Sequence, residues 1–349
     1  MGLDSFDDFK YHIYMDRYLL VNDIYCGRSE ELMGKIEPNS ISLSFWSPPY
    51  FVGKEYEVNE SYDSWQEMLK QVIVLHSVVL KPGGFMVINI ADILAFKDET
   101  MPRIQGMNIS NHKSPVTREM VIDAKIKFPE YNRDQLAAYL GCSEQTIDRR
   151  LNGNNIRGGK HQTQTRVKLV GGSLEKFAYD CNLFLYDKRI WKKDPAWANS
   201  RWTTNTLKAV SETEDIYIFW KPGEYVVNRS RLTDQEWRDW GYRQIWDIQS
   251  VRKNDDHEAK FPEELARRVI KLFSDIDDIV LDPFLGSGTT VVAAYNENRQ
   301  FIGIEKEEKY VSLSKENLKN VRLQTSLFEI PKKQNPYNAT LQSAVAFQN

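Results

Sequence analysis

The chain has 349 residues, enough for one large domain or two ordinary ones. Its 9 Trp, 17 Tyr and 16 Phe exclude a wholly disordered polymer and suit a folded protein with stacking surfaces. The net charge of −3 argues against nucleic acid, but residues 103–172 carry a local +6 on a remainder of −9, the pattern of a local anion-binding surface. An ordinary solvated basic subdomain would give the same island.

The opening "MGLDSFDDFK" lacks the basic-then-apolar pattern of a secretory signal, and Phe6 stands where a myristoylation signal needs Ser or Thr. Next, "NDIYC" (22–26), "ISLSFW" (41–46) and "GFMVINI" (84–90) read as buried strands, apolar and bounded by turn residues. The second strand runs into "SPPY". Proline has no N–H and fixes φ, so Pro48 and Pro49 cannot continue a ladder. Ser47–Tyr50 should be a stiff, extended ledge whose carbonyls no neighbouring strand claims. The segment "SWQEMLKQVIVLHSVVL" (64–80) has helical spacing and should stop at a "KPGG" turn. Its apolar stretch is shorter than the ~18 residues of a membrane helix.

Residues 103–172 then interrupt the pattern. Inside them, "YNRDQLAAYLGCSEQTIDRRLNG" (131–153) predicts a helix over 133–140, a Gly141–Cys142 turn and a helix over 143–151. Leu136, Ala137, Leu140 and Ile147 fit the core of a helix-turn-helix, with Gln145, Thr146, Arg149 and Arg150 facing a DNA groove. The flank "NIRGGKHQTQTRVKLV" (155–170), with Arg157 and Lys160, suits phosphate tracking. Strands follow at "NLFLYDKRIW" (182–191) and "DIYIFWKPG" (215–223). The stretch 224–256, rich in Trp and Arg and including Arg229 and Arg231, has little regular period. "FPEELARRVIKLFS" (261–274) reads as a helix with Pro262 near its first turn. "DIVLD" (278–282), "GSGTTVVAAYNENR" (286–299), "FIGIE" (301–305) and "EEKYVSLSKENLKNV" (307–321) form a strand–helix–strand–helix series, and a polar tail follows from 331. Strands separated by helices imply a mostly parallel, doubly wound α/β sheet. Cys26, Cys142 and Cys181 are odd in number and widely spaced, which fits free thiols in a reducing cytoplasm. The five histidines show no ligand spacing, so no metal site is expected.

"VLDPFLGSGTT" (280–290) is the second informative stretch. An apolar strand ends at Asp282, Gly286 and Gly288 let backbone N–H groups approach a ligand, and a helix N-terminus follows. Some twenty residues on, Glu305 ends the next strand, the Rossmann arrangement for gripping a ribose. The glycines do not spell G-x-G-x-x-G and the P-loop lysine is missing, which disfavours a dinucleotide and ATP.

Together, "SPPYFVGKEYE", "LKPGGFMVINIAD", "EDIYIFWKPG", "HEAKFPEELARRVI" and "LDPFLGSGTT…FIGIE" resemble the DNA amino-methyltransferases that use S-adenosylmethionine. The likeness spans about residues 20–323 outside the basic island. The catalytic motif precedes the cofactor loop, the order of the permuted class called beta. The resemblance implies a circularly permuted, Rossmann-like methyltransferase sheet, which the basic helix-turn-helix-like subdomain interrupts. The chain then divides into a catalytic first part over 1–102, the recognition insert over 103–172 and a second catalytic part over 173–223. A second DNA-recognition segment over 224–256, with Arg229 and Arg231, a cofactor-binding part over 257–330 and a tail over 331–349 complete the division. Ser47, Pro48, Pro49 and Tyr50 would be catalytic. Ser47 and the Pro48 carbonyl would accept the two hydrogens of an exocyclic amine, and Tyr50 would stack on a base flipped from the duplex. Cys26, Gly27, Phe261, Pro262, Asp282, Pro283, Phe284, Gly286, Ser287, Gly288, Thr289 and Glu305 would surround S-adenosylmethionine. Arg28 departs from the family, which usually has Gly-Asp at 27–28. In the family "SPPY" goes mostly with cytosine and "DPPY" mostly with adenine, so cytosine N4 is expected and adenine N6 is the alternative. The expected partners are double-stranded DNA, a cognate restriction endonuclease and a second copy of the chain. RNA methylation and a DNA-binding regulator with an inactive methyltransferase fold are the remoter alternatives.

Overall fold

The structure is a computed structural model that describes residues 18–51, 61–101, 104–106, 114–152, 161–163, 165–195, 209–225, 227–251 and 261–328. Its main elements begin with β1 (Asp23–Cys26), β2 (Ile41–Trp46), α1 (Tyr62–Val79), β3 (Leu80–Ile90), β4 (Ile93–Lys97) and β5 (Ile104–Gly106). Next come α2 (Arg118–Lys127), α3 (Arg133–Leu140), α4 (Glu144–Asn152), β6 (His161–Thr163) and β7 (Thr165–Lys168). They are followed by α5 (Gly171–Asp180), β8 (Phe184–Lys192), β9 (Thr213–Trp220), β10 (Ile245–Asp247) and α6 (Glu263–Phe273). The last are β11 (Ile279–Asp282), α7 (Thr289–Asn296), β12 (Gln300–Glu305) and α8 (Glu308–Phe328). The chain divides into two compact units. One comprises Met1–Ala91, Val170–Lys193 and Thr213–Asn349, the other Asp92–Leu169 and Asp194–Glu212.

The first unit holds an eight-stranded sheet in the order β1-β12-β11-β2-β3-β9-β8-β10. Neighbouring strands are parallel except around β9, which is antiparallel to both β3 and β8. All six residues of β2 are buried, which is why that strand is apolar without alternation. Helix α6 buries Leu265, Ala266, Val269, Ile270, Leu272 and Phe273, in one core cluster with Leu43 and Phe45 of β2. Each of the larger side chains contributes about 1.5–3 kcal/mol by leaving water. His76 ties α1 to β2: its Nδ1 lies 2.7 Å from the Val72 carbonyl and its Nε2 2.8 Å from Ser44 Oγ. The ring also stacks on Trp46 at 5.6 Å, and burial pushes its pKa down to about 4.

The chain steps from β2 to β3 in one direction across the sheet and from β11 to β12 in the other. The carboxyl ends of β2 and β11 therefore flank the topological switch point, where open α/β sheets bind ligands. Because β9 runs antiparallel to β3, its first residues lie at that same edge. The "KPGG" stretch, expected as a turn, lies inside β3 instead. Leu80 pairs with Ile41 and Phe85 with Leu43, and the register shift absorbs the residues between.

In the second unit, α2, α3 and α4 pack around Val116, Val121, Ala124, Leu136, Ala137 and Ile147. Asn132 and Gln135 cap α3 reciprocally, each side chain bonded to the other's backbone N–H at 2.9 Å. Gly141 ends that helix at φ 65°, where a side chain would be strained, and the Cys142 N–H then bonds the Ala137 carbonyl. Two antiparallel ladders accompany the helices: β4 with β7 and β5 with β6. The first pairs residues ahead of position 103 with residues 165–168, so this unit begins at Asp92.

Candidate active site

The ledge leaves the carboxyl end of β2. Pro48 is buried, while Ser47, Pro49 and Tyr50 are half-buried. Trp65 Nε1 of α1, a helix side chain and not a strand, donates to the Pro49 carbonyl at 2.8 Å. Ser47 Oγ donates to the Tyr50 hydroxyl at 3.1 Å, and that hydroxyl donates to Glu214 Oε2 at 2.6 Å. Asn89 Nδ2 reaches the same carboxylate oxygen at 2.7 Å, and Lys193 forms an ion pair with Glu214 Oε1. Sequence reasoning missed Trp65, Asn89, Lys193 and Glu214. Two signals were legible: a lone amide inside the buried run "FMVINI", and an acid opening the apolar strand "EDIYIFW".

The glycine loop leaves the carboxyl end of β11, next to β2. Asp282 Oδ1 accepts from the Phe284 N–H at 2.9 Å, and the Leu285 N–H bonds the Ile304 carbonyl. Glu305 accepts from the Gly286 N–H and the Glu307 N–H, both at 2.9 Å. Ser29 Oγ donates to the Pro283 carbonyl, and Asn317 Nδ2 to that of Ser287. Gly288 caps α7 at φ 92°, and a Cβ there would sit 2.8 Å from Ser314 Cβ, so a side chain is excluded on two counts. Thr289 is the first residue of α7. Cys26 and Gly27 close the row from β1, with the Gly27 N–H on the Glu305 carbonyl at 2.9 Å. Arg28 pairs with Glu30 at 2.7 Å, its side chain mostly exposed.

Two ring contacts link these parts. Phe284 of the loop lies 5.3 Å from Trp46, the residue before the ledge, and Phe261 lies 5.0 Å from Phe45. Pro262 caps α6 beside it. Asp282 is 1% exposed. Burial pushes its pKa up to about 7, against the lowering effect of Thr290 and the Phe284 N–H, and the nearby Glu305 charge adds to the rise. A buried carboxylate beside a second one favours a cationic ligand. S-adenosylmethionine, with its sulfonium and ammonium charges, fits this donor set. Among the described residues no cluster could hold a metal ion, and no helix is long and apolar enough to cross a membrane.

The residues expected at DNA fall into three groups. Gln145 and Arg149 are exposed on α4, and Thr146 is half-buried against Ser143. Arg150 is half-buried, and its Nε donates to the Val116 carbonyl at 2.9 Å, which braces the helical hairpin. Arg231 is likewise spent inside the protein, on both carboxylate oxygens of Asp275 at 2.7 Å and on the Leu272 carbonyl. Arg229 is exposed, with a bond to the Tyr242 hydroxyl. Arg157 and Lys160 lie outside the described residues. Trp240 and Trp246 are buried against each other in the core.

A family model described as DNA methylase matches residues 41–316, a span that includes both the ledge and the glycine loop. The chain is 58% identical over 301 residues to the type II methyltransferase M.BglI of Bacillus subtilis, covering 86% of each chain. A Thermus thermophilus protein, described as a putative DNA modification methylase and solved with S-adenosyl-L-methionine, aligns over 86% of this chain and 93% of its own. Its TM-score is 0.56 at 23% identity. The cytosine-N4-specific PvuII DNA methyltransferase aligns over 87% and 92%, with a TM-score of 0.55 at 15% identity. At such identities both structures speak for the fold.

Proposed function

Because the chain belongs to the DNA methylase family of N6- and N4-amino methyltransferases, we propose that its target is the N4 amine of a cytosine flipped out of duplex DNA. We place it in a type II restriction–modification setting, beside a cognate endonuclease, in keeping with the class of M.BglI. The observation that carries the reading is the pairing of the Ser47–Tyr50 ledge with the Gly286–Thr289 loop on adjacent parallel strands at the switch point.

S-adenosylmethionine supplies an electrophilic sulfonium methyl. The protein's own residues do the rest. An exocyclic amine is conjugated into its ring, and its lone pair is a poor nucleophile. Acceptors at Ser47 Oγ and the Pro48 carbonyl would take its two hydrogens and draw the nitrogen toward a tetrahedral shape. Two prolines hold those acceptors in place beforehand, which is preorganisation rather than proton abstraction by a strong base. Asp282 and Glu305, on a loop fixed by its own N–H groups, would hold the cofactor. A neutral serine in the ledge favours cytosine over adenine. On the second unit, Gln145 and Arg149 of α4 would face the DNA.

The test is to methylate DNA with the purified protein, digest it to nucleosides and identify the modified one. N4-methyl-2′-deoxycytidine is expected. N6-methyl-2′-deoxyadenosine would retain the family and overturn the choice of base.

A further inference from the structure

The hydrogen-bonded chain from Ser47 through Tyr50 to Glu214 has a direction. A carboxylate only accepts, so the Tyr50 phenol proton lies on the bond to Glu214 Oε2. A phenol has a single proton. The Tyr50 oxygen must therefore accept from its other two neighbours, Asn89 Nδ2 at 3.4 Å and Ser47 Oγ at 3.1 Å. Ser47 in turn spends its one proton inward. What it presents outward is lone pairs.

The inner end of the chain is fixed as well. The Glu214 side chain is 9% exposed and that of Lys193 is 17% exposed, and the two are ion-paired. A carboxylate this far from water needs a compensating cation, and Lys193 is it. Asn89, itself buried, adds a second donor to Glu214 Oε2. An undirected serine hydroxyl would be free to donate to the lone pair of an incoming amine, which would quench the nucleophile it is meant to expose.

We propose that Glu214, held by Lys193 and Asn89, is a positioning residue that orients the Ser47 hydroxyl through Tyr50, so that Ser47 meets the exocyclic amine only as an acceptor. This rests on the reading of Ser47 as an amine acceptor. The informative variant is Glu214→Gln, which keeps the shape but offers an amide donor to Tyr50 and turns the chain around. Because it strands the Lys193 charge, the pair Glu214→Leu with Lys193→Met, which removes the acceptor and the cation together, is made beside it, along with Glu214→Asp and Tyr50→Phe.

Single-turnover rates at saturating DNA and cofactor should fall about tenfold or more in Glu214→Gln, in the Glu214→Leu/Lys193→Met pair and in Tyr50→Phe. Glu214→Asp should recover much of the loss, and calorimetric cofactor affinity should stay within about twofold. Glu214→Gln should cost nothing further on a Tyr50→Phe background. In the free protein carrying ¹³Cζ-tyrosine, the resonance missing from Tyr50→Phe should shift in Glu214→Gln. A wild-type rate in the paired variant, an unmoved Tyr50 resonance, or an undiminished Glu214→Gln loss on the Tyr50→Phe background would overturn the proposal. Ser47→Ala separates the two levels. If it remains active, the acceptor reading itself fails; if it is inactive while the Glu214 variants are normal, only this proposal fails.

Discussion

The glycine loop after β11 and the proline ledge after β2 leave neighbouring strands at the same edge of one sheet, yet they are held by opposite means. The loop is fixed through its own backbone: the N–H groups of Phe284, Leu285 and Gly286 each have a partner. The ledge has two residues with no N–H to offer. It is fixed from outside, by Trp65 on a carbonyl and by Glu214 on a phenol. A loop that fixes itself and presents carboxylates suits the holding of a cationic cofactor. A stiff row of acceptors suits work on an amine. Substitutions in the loop should therefore act first on affinity, and those in the ledge on turnover.

The largest effect on affinity that would sharpen the contrast is expected from Asp282→Asn. The amide oxygen can still accept from the Phe284 N–H, so the loop keeps its shape while the buried charge is lost. Losing charge-assisted contacts costs ~1.5–3 kcal/mol, about 10- to 100-fold in cofactor affinity. Calorimetry showing unchanged affinity would move the cofactor elsewhere. The same variant has a signature in pH. Asp282 is raised to about 7 in the fold, so its contribution is present below its unfolded pKa and lost as pH rises to 7. His76, lowered to about 4, works the other way: its contribution is present above its unfolded pKa and lost as pH falls to 4. The two oppose each other between about pH 4 and 6.5. Asp282→Asn should unmask His76, so its melting temperature climbs with pH more steeply than that of the wild type. Parallel curves would contradict this.

A smaller effect is expected on the other side of the comparison. Trp65→Phe removes the donor to the Pro49 carbonyl and loosens the ledge, which should slow turnover roughly tenfold through misplacement. Cofactor affinity should hold. If it falls in step with turnover, the ledge and the loop are not separable. The smallest effect belongs to the second unit, where Arg149→Ala should reduce the salt slope of DNA binding by about one unit and leave the cofactor untouched. An unchanged slope would make α3–α4 a structural hairpin and pass recognition to the exposed Arg229 region.

The sheet was legible because β2, β3 and β11 are buried on both faces and read as continuous apolar runs. The ledge and the glycine loop were legible because Pro and Gly restrict or free the backbone wherever they stand. The network behind the ledge was not. Tyr50 and Glu214 are 164 positions apart and Asn89 and Glu214 are 125 apart, and no local pattern signals such a pairing. The bonds of Arg150 and Arg231 were hidden for the same reason, since each is claimed by a partner remote in sequence. Strand β10, with three residues, is too short to show a period.

The separation of holding from reacting is tested most directly by Ser47→Ala, with cofactor affinity and single-turnover methyl transfer measured on the same preparation. Transfer should fall by ~10²-fold or more, the scale of losing one preorganised hydrogen-bonding group, while affinity stays close to wild type. Transfer near the wild-type rate, or affinity falling in proportion, would contradict it.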